Sequence, residues 1–355
     1  MRVRLKNSIA LSGIVQIILV KWLGSHPEWV EQYYSEGIYL IISKFLRLLF
    51  GWIPFSVGDL LYTALGILAL RYIFRNRVLI KKKPFSFFRD VAMLLSLIYF
   101  IFHLCWGMNY YRVPITEKLQ IGSVYTTTEL ASFSNYLVAK TNHYQEQVAP
   151  DTLTPVKITA AKAAIFKSTI EGYQQLERSY PFLTYQQPSL KQSLYSLPLT
   201  YMGYGGYINP FTNEAQVNGK IPAIRLPTIS GHEVGHQVGY SAEDATNFIG
   251  FLVTSKNKDP HFKYAAYSHA LAYCLSDLSL RDKGRFDELY AKLNPGVKKN
   301  YKELRDFWKR YKNPTEPLFK AVFNAFLKAN NQEKGIESYN AVVGLLINYH
   351  KVHGF

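Results

Sequence analysis

The sequence predicts a mostly helical α+β protein: N-terminal membrane helices over residues 1–111, then a water-soluble domain with a small sheet over residues 112–355. Three observations predict it. The long apolar runs fall almost entirely before residue 112, and basic clusters bracket them. Leu190–Asn218 changes to short alternating runs rich in Tyr, Gly, Ser and Thr, which read as two or three strands. From Pro222 to the C-terminus the pattern is mostly helical.

The mean hydropathy of −0.07 averages over two unlike parts. Residues 1–111 carry 13 Lys+Arg and 5 Asp+Glu, a net of +8 out of +16, so the remaining residues also carry +8. Ile9–Leu23, Leu60–Phe74 and Val91–Trp106 are candidate spans. The first follows a basic start without a small-x-small cleavage site, which favours an uncleaved span over a signal peptide. Gly37–Phe55 is broken by Lys44, Arg47 and Pro54; the two cations share a helical face, as in a helix lying in the membrane interface. The basic run Arg75–Arg89 should stay cytoplasmic together with the basic N-terminus. Three spans then place the domain from about residue 108 on the extracytoplasmic side. A fourth span over 37–55 would put the charge cluster on the wrong side.

The domain has no zinc finger, RNA-binding sheet motif or long basic run, which excludes the usual nucleic-acid readers. Cys105 and Cys274 lie in different parts of the chain and form no disulfide framework. Thr126–Val148 and Ile158–Tyr180 read as amphipathic helices, and Asn209-Pro210 and Asn218-Gly219 as turns.

Residues 232–236 read His-Glu-Val-Gly-His. Positions i and i+4 lie on one helical face, which brings His232 and His236 to one metal ion. Glu233 is rotated by about 100° and flanks that ion as a general base. Neutral imidazoles hold zinc without neutralising it, so the ion can still acidify a water molecule. Gly239 is expected to end the helix in a left-handed turn. Ser241 then reads as the N-cap of the next helix, with Asp244 completing a capping box. That leaves Glu243 as the expected third ligand, Asp244 as the alternative, and Asn247 as support for a ligand histidine.

The pattern resembles two zincin signatures. In the metzincin form, HExxHxxGxxH, Gly239 matches and Ala242 stands at the third-ligand position. In the gluzincin form, HExxH followed by ExxxD, Glu243 and Asn247 stand at the matching positions. Over most of its length the chain also resembles an uncharacterised bacterial family of membrane-anchored HExxH proteins, a domain of unknown function. The matching stretches are Gly206–Glu214, Leu226-Pro227, His232–Gln237, Gly239-Tyr240, Glu243–Phe248 and Gly335–Tyr339. The resemblance implies a zincin-like metallopeptidase of the bacterial inner membrane.

An oxyanion stabiliser is expected among Tyr264, Tyr267, His269 and Tyr339, although packing explains most of the 27 tyrosines. Residues 205–218 could present a strand edge to an extended peptide. The expected partners are therefore a peptide or protein substrate and the lipid bilayer. The competing expectation is a non-catalytic membrane protein whose zinc site holds the fold or docks a partner.

Overall fold

The computed structural model describes residues 3–333, 335 and 338–355; the side chains at 79 and 338–340 lie outside the description. The chain divides into two compact units: Met1–Val113 with Asn209–Glu214, and Pro114–Ile208 with Ala215–Phe355.

The first unit is built from α1 (Val3–Gly24), α2 (Tyr39–Phe50), α3 (Val57–Lys82) and α4 (Pro84–Cys105), with a π-helix over Val30–Ile38 before α2. The stretches Val3–Gly24, Val57–Val78 and Pro84–Cys105 are each 22 residues long and apolar enough to cross a membrane. At 1.5 Å per residue each covers about 33 Å, the thickness of the hydrocarbon layer. These are the dimensions of a membrane anchor. α1 and α4 meet where Gly13 faces Ser96, and Gln16 Nε2 donates to Ser96 Oγ at 3.0 Å. Arg112 makes a two-pronged ion pair with Glu31, at 2.8 and 2.6 Å.

α2 has 12 residues, about 18 Å, which is too short to span. Its two cations do not share one environment. Lys44 is exposed, but Arg47 is buried and its Nη1 donates to Asn213 Oδ1 at 2.7 Å. The two cations therefore do not form one solvent-facing pair, because a long-range acceptor captures the Arg47 guanidinium. The same short segment, Asn209–Glu214, caps α3. Glu214 accepts the Val57 and Gly58 backbone N–H groups at 3.1 and 2.5 Å. Those donors have no partner within their own helix, and leaving each one buried and unmet would cost about 1–3 kcal/mol.

The second unit opens with α5 (Thr127–Val148). Thr126 accepts from the Glu129 N–H at 3.2 Å, and Glu129 accepts from the Thr126 N–H at 2.7 Å, a complete capping box. α6 covers Lys162–Leu176, shorter than the expected 158–180. β1 (Leu190–Gln192), β2 (Gly206–Asn209) and β3 (Glu214–Val217) form a sheet in the order β1-β3-β2. β1 runs parallel to β3, pairing Leu190 with Ala215 and Gln192 with Val217. Among the described residues β2 is an edge strand.

The alternating run Ser193–Leu197 is not a strand. Ser193 Oγ accepts from Tyr195 N–H at 2.9 Å and the Ser196 hydroxyl donates to Ser193 O at 2.6 Å, which turns the chain into helix α7 (Ser196–Met202). Pro198 in its first turn suits a helix start.

Six more helices follow: α8 (Leu226–Gln237), α9 (Glu243–Ser255), α10 (Pro260–Arg281), α11 (Lys283–Ala291), α12 (Pro295–Tyr311) and α13 (Glu316–Ala329). The last is α14 (Ser338–His353). α9 runs through the core with Phe248, Ile249, Leu252 and Val253 fully buried. α8 crosses it at glycines. A Cβ on Gly231 would lie 3.0 Å from Gly250 Cα, and one on Gly250 would lie 2.8 Å from Thr228 O and 2.9 Å from His232 N. Contact at this spacing is backbone against backbone, with no flexible atom to yield.

Gly250→Ala should therefore separate α8 from α9. We expect about 1–3 kcal/mol of lost stability by chemical denaturation, on the scale of core overpacking.

Candidate functional site

α8 and α9 are joined by a tight turn at Gly239, whose φ of +92° is the left-handed conformation that the spacing predicts. Beyond it the expected cap is corrected. The chain stays extended through Ala242, which is the N-cap and makes no side-chain cap bond, and α9 begins at Glu243. Ser241 is buried outside the helix, and Asp244 instead accepts from the Ala245 N–H at 2.8 Å. Starting the helix one residue later makes Glu243 its first residue, with Asn247 one turn further on the same face.

The crossing then assembles a cluster. One ligand atom each from His232, Glu233 and His236 lie within 4.8 Å of one another. Glu243 Oε2 stands 3.3 Å from His232 Nε2 and 3.8 Å from His236 Nε2. Each imidazole is held from its far side. His236 Nδ1 is 2.7 Å from the Tyr240 carbonyl oxygen, and His232 Nδ1 is 2.9 Å from Asn247 Oδ1. A carbonyl only accepts, so both Nδ1 atoms carry the proton and both Nε2 lone pairs face Glu243. Two bare imidazole nitrogens and a carboxylate oxygen converging on one point form a donor set that suits a divalent metal.

Glu233 and Glu243 are both buried. Glu233 Oε2 meets no hydrogen-bond partner among the described residues. Burial raises the Glu233 pKa to about 8, opposed by His232 and reinforced by the Glu243 charge. Burial drives His236 down to about 4, with Glu243 opposing. Burial also works against a charged His232, but the adjoining Glu243 carboxylate, which a protonated Nε2 would meet, and the Glu233 charge outweigh that and raise it. The pair therefore presents one basic and one weakly basic imidazole to a shared carboxylate.

The sheet closes on this cluster from the edge-strand side. A Cβ on Gly206 would sit 2.5 Å from Glu233 Oε1 and 2.6 Å from Gln216 O, so only glycine lets β2 approach the carboxylate. The Tyr173 hydroxyl donates to Gly231 O at 2.6 Å, and Gln237 bridges the Tyr185 hydroxyl and Ser189 O at 2.6 and 3.0 Å. These bonds tie α8 to α6 and to the entry of β1.

Of the four expected oxyanion stabilisers, the structure leaves two elsewhere. The Tyr264 hydroxyl donates to Asn300 at 2.7 Å, and Tyr267 is buried in a stack on Tyr144. Their spacing of three on α10, with buried Ala265 and Ala266 between them, belongs to a helix buried in the core. Tyr339 lies outside the described side chains. His269 does lie beside the cluster: its Nδ1 is 2.9 Å from Thr228 Oγ1, and burial with the positive charges of Arg225 and His232 lowers its pKa. Tyr273, stacked on His269 at 5.0 Å, and Tyr204 were not foreseen; both have raised pKa values, first from burial and then partly from the Glu243 charge. No local sequence signal separates them from the other tyrosines.

Fold and site together define a mostly helical, membrane-anchored protein with a buried His/Glu cluster at a helix crossing. The chain belongs to the family described as Protein of unknown function (DUF3810), whose model matches residues 34–347. No curated protein and no solved structure matches it.

The raised Glu233 pKa has a measurable consequence in metal-free protein. A carboxyl whose folded pKa lies above its unfolded value contributes stability that is fully present below about 4.5 and is lost as the pH rises through about 8. Metal-free wild type should therefore melt at a falling temperature from pH 5 to pH 9. Glu233→Gln, neutral throughout, should lack that component of the fall.

Proposed function

We propose that this chain is a membrane-anchored zinc-dependent hydrolase of zincin type that cleaves peptide bonds. The observation that carries the reading is the convergence of His232 Nε2, His236 Nε2 and Glu243 Oε2, with the Glu233 carboxylate beside them. Three protein donors leave a fourth position open, as in catalytic rather than structural zinc sites.

Bound at these donors, zinc supplies Lewis acidity and lowers the pKa of water towards neutrality. Glu233 takes the proton of the attacking water and passes it to the leaving amine nitrogen. Its buried site keeps the carboxylate basic enough for the first step and acidic enough, once protonated, for the second. Asn247 and the Tyr240 carbonyl fix the ring orientations of His232 and His236. The edge strand β2, packed on Glu233 through Gly206, offers backbone groups to an extended peptide. Tyr273, stacked on His269, is the side chain we assign to meet developing oxyanion charge, whereas the Tyr204 hydroxyl donates to Phe319 O at 3.3 Å. The basic cluster Arg75–Arg89 favours a bacterial inner-membrane protein with this domain on the extracytoplasmic side.

Elemental analysis of the purified chain tests the metal. We expect near-stoichiometric zinc in wild type and loss of it in His232→Ala. Zinc that persists in His232→Ala, or no uptake on titration, would remove the basis for the reading.

Glu233→Gln tests the chemistry. It should keep its zinc and lose about 10²–10⁴-fold in kcat on a cleaved peptide, the usual weight of a general base. Undiminished turnover would point instead to a zinc site that only holds the fold.

A further inference from the structure

Arg225 is the residue before α8, and on the helical repeat it falls on the face that carries Thr228, His232 and His236. Seven residues separate it from His232, about 10 Å along the axis. Its guanidinium has no carboxylate, carbonyl or ring face against it among the described residues. Nη1 is sealed from solvent without an acceptor, while the residue as a whole remains partly exposed. The groups acting on it electrostatically are the phenols of Tyr273, Tyr301 and Tyr264, all neutral. Two of these hydroxyls are already committed, Tyr264 to Asn300 and Tyr301 to Ser268 O at 2.8 Å. A guanidinium nitrogen sealed from water with no acceptor is costly, and native structures normally supply a partner. Here none is supplied among the described residues.

The neighbourhood joins this cation to the His/Glu cluster. His269, stacked on Tyr273, feels both Arg225 and His232, and Tyr273 feels both Arg225 and Glu243. The pair thus interacts with the guanidinium and with the candidate metal ligands alike. A small, mostly apolar cavity reaches His269 and Tyr273, with Thr228 and Asn247 as its polar lining and Phe251 and Leu346 among its apolar walls.

We infer that Arg225 is a specificity residue that receives a carboxylate of the peptide substrate, two to three residues from the scissile bond. This rests on the hydrolase reading above. The spacing follows from about 10 Å of helix, which equals about three residues of extended chain. Arg matches a carboxylate with two parallel N–H···O bonds, which an amide cannot reproduce. The carboxylate can be the peptide's C-terminus or an Asp or Glu side chain.

The test is equilibrium dialysis of the full-length, detergent-purified Glu233→Gln chain, loaded with zinc. The probe is an equimolar library of N-acetylated hexapeptides in three forms: free C-terminal carboxylate without acidic side chains, acid-free C-terminal amide, and C-terminal amide containing one Asp or Glu. Mass spectrometry reads the retained set. Enrichment of one carboxylate-bearing form over the acid-free amide by about tenfold or more is expected, the scale of one charged hydrogen bond. The enriched form identifies the source of the carboxylate. Adding Arg225→Gln should collapse the preference to within about twofold with zinc content unchanged, and Arg225→Lys should retain part of it. Equal retention of the acid-free amide, retention of no form, or a preference that survives Arg225→Gln would overturn the inference. A zinc-bound chain that retains Glu233 and cleaves carboxylate-bearing peptides as well with Arg225→Gln as without it would overturn it too, and leave the hydrolase reading standing. A chain that takes up no zinc overturns the hydrolase reading, and the same dialysis on the metal-free protein still decides the carboxylate preference.

Discussion

The second unit depends on one contact: the backbone of α8 resting on the backbone of α9 at Gly231 and Gly250. Helices with ordinary side chains at the crossing pack with axes 8–10 Å apart. Removing both Cβ atoms lets these two approach closely enough for a short carboxylate on one helix to reach imidazoles on the other. Glu243 has two methylene-level bonds of reach, and it meets two histidine nitrogens 3.3 and 3.8 Å away only because the helices touch. Gly239 makes the reversal between them within a few residues. The cluster, its burial and its shifted acidities are all consequences of that closeness.

Glycine has a second use at the same place. Gly206 lets a strand edge lie directly against Glu233. A carboxylate flanked by a helix on one side and bare strand backbone on the other is shielded from water without being hydrogen-bonded away. Burial without full satisfaction is what lifts its acidity constant, and the cost of holding it there is offset by the surrounding apolar core of α9 and α10.

Much of this was legible in the sequence, and for identifiable reasons. The His232/His236 pairing follows from helical spacing, the Gly239 turn from glycine's conformational range, and the anchor helices from hydropathy and length. Glu243 and Asn247 could be placed because they share a face by spacing alone. What was misread depended on local bonds that pattern does not encode. Ser193 and Ser196 turn an alternating run into a helix by bonding to nearby backbone, and the α9 cap falls on Ala242 where serine chemistry favoured Ser241. Arg47 looked like a surface cation because its acceptor, Asn213, lies 166 positions away. Tyr273, Tyr204 and Arg225 were invisible for the same reason: their surroundings come from the folding of distant segments together, and a tyrosine in a chain rich in tyrosine carries no mark of its own.

The two histidines of the cluster are anchored in unequal ways. His236 leans on the main-chain carbonyl of Tyr240, and His232 on the side chain of Asn247. A main-chain carbonyl survives almost any substitution at its own position, so the orientation and basicity of His236 are fixed by the course of the chain. The partner of His232 is set by a single codon. Exchanging Asn247 for aspartate would place a negative charge behind that ring, and exchanging it for an apolar residue would let the ring turn. One half of the centre is hard-wired and the other adjustable, so natural variation in this protein has a dial at position 247 and none at 240.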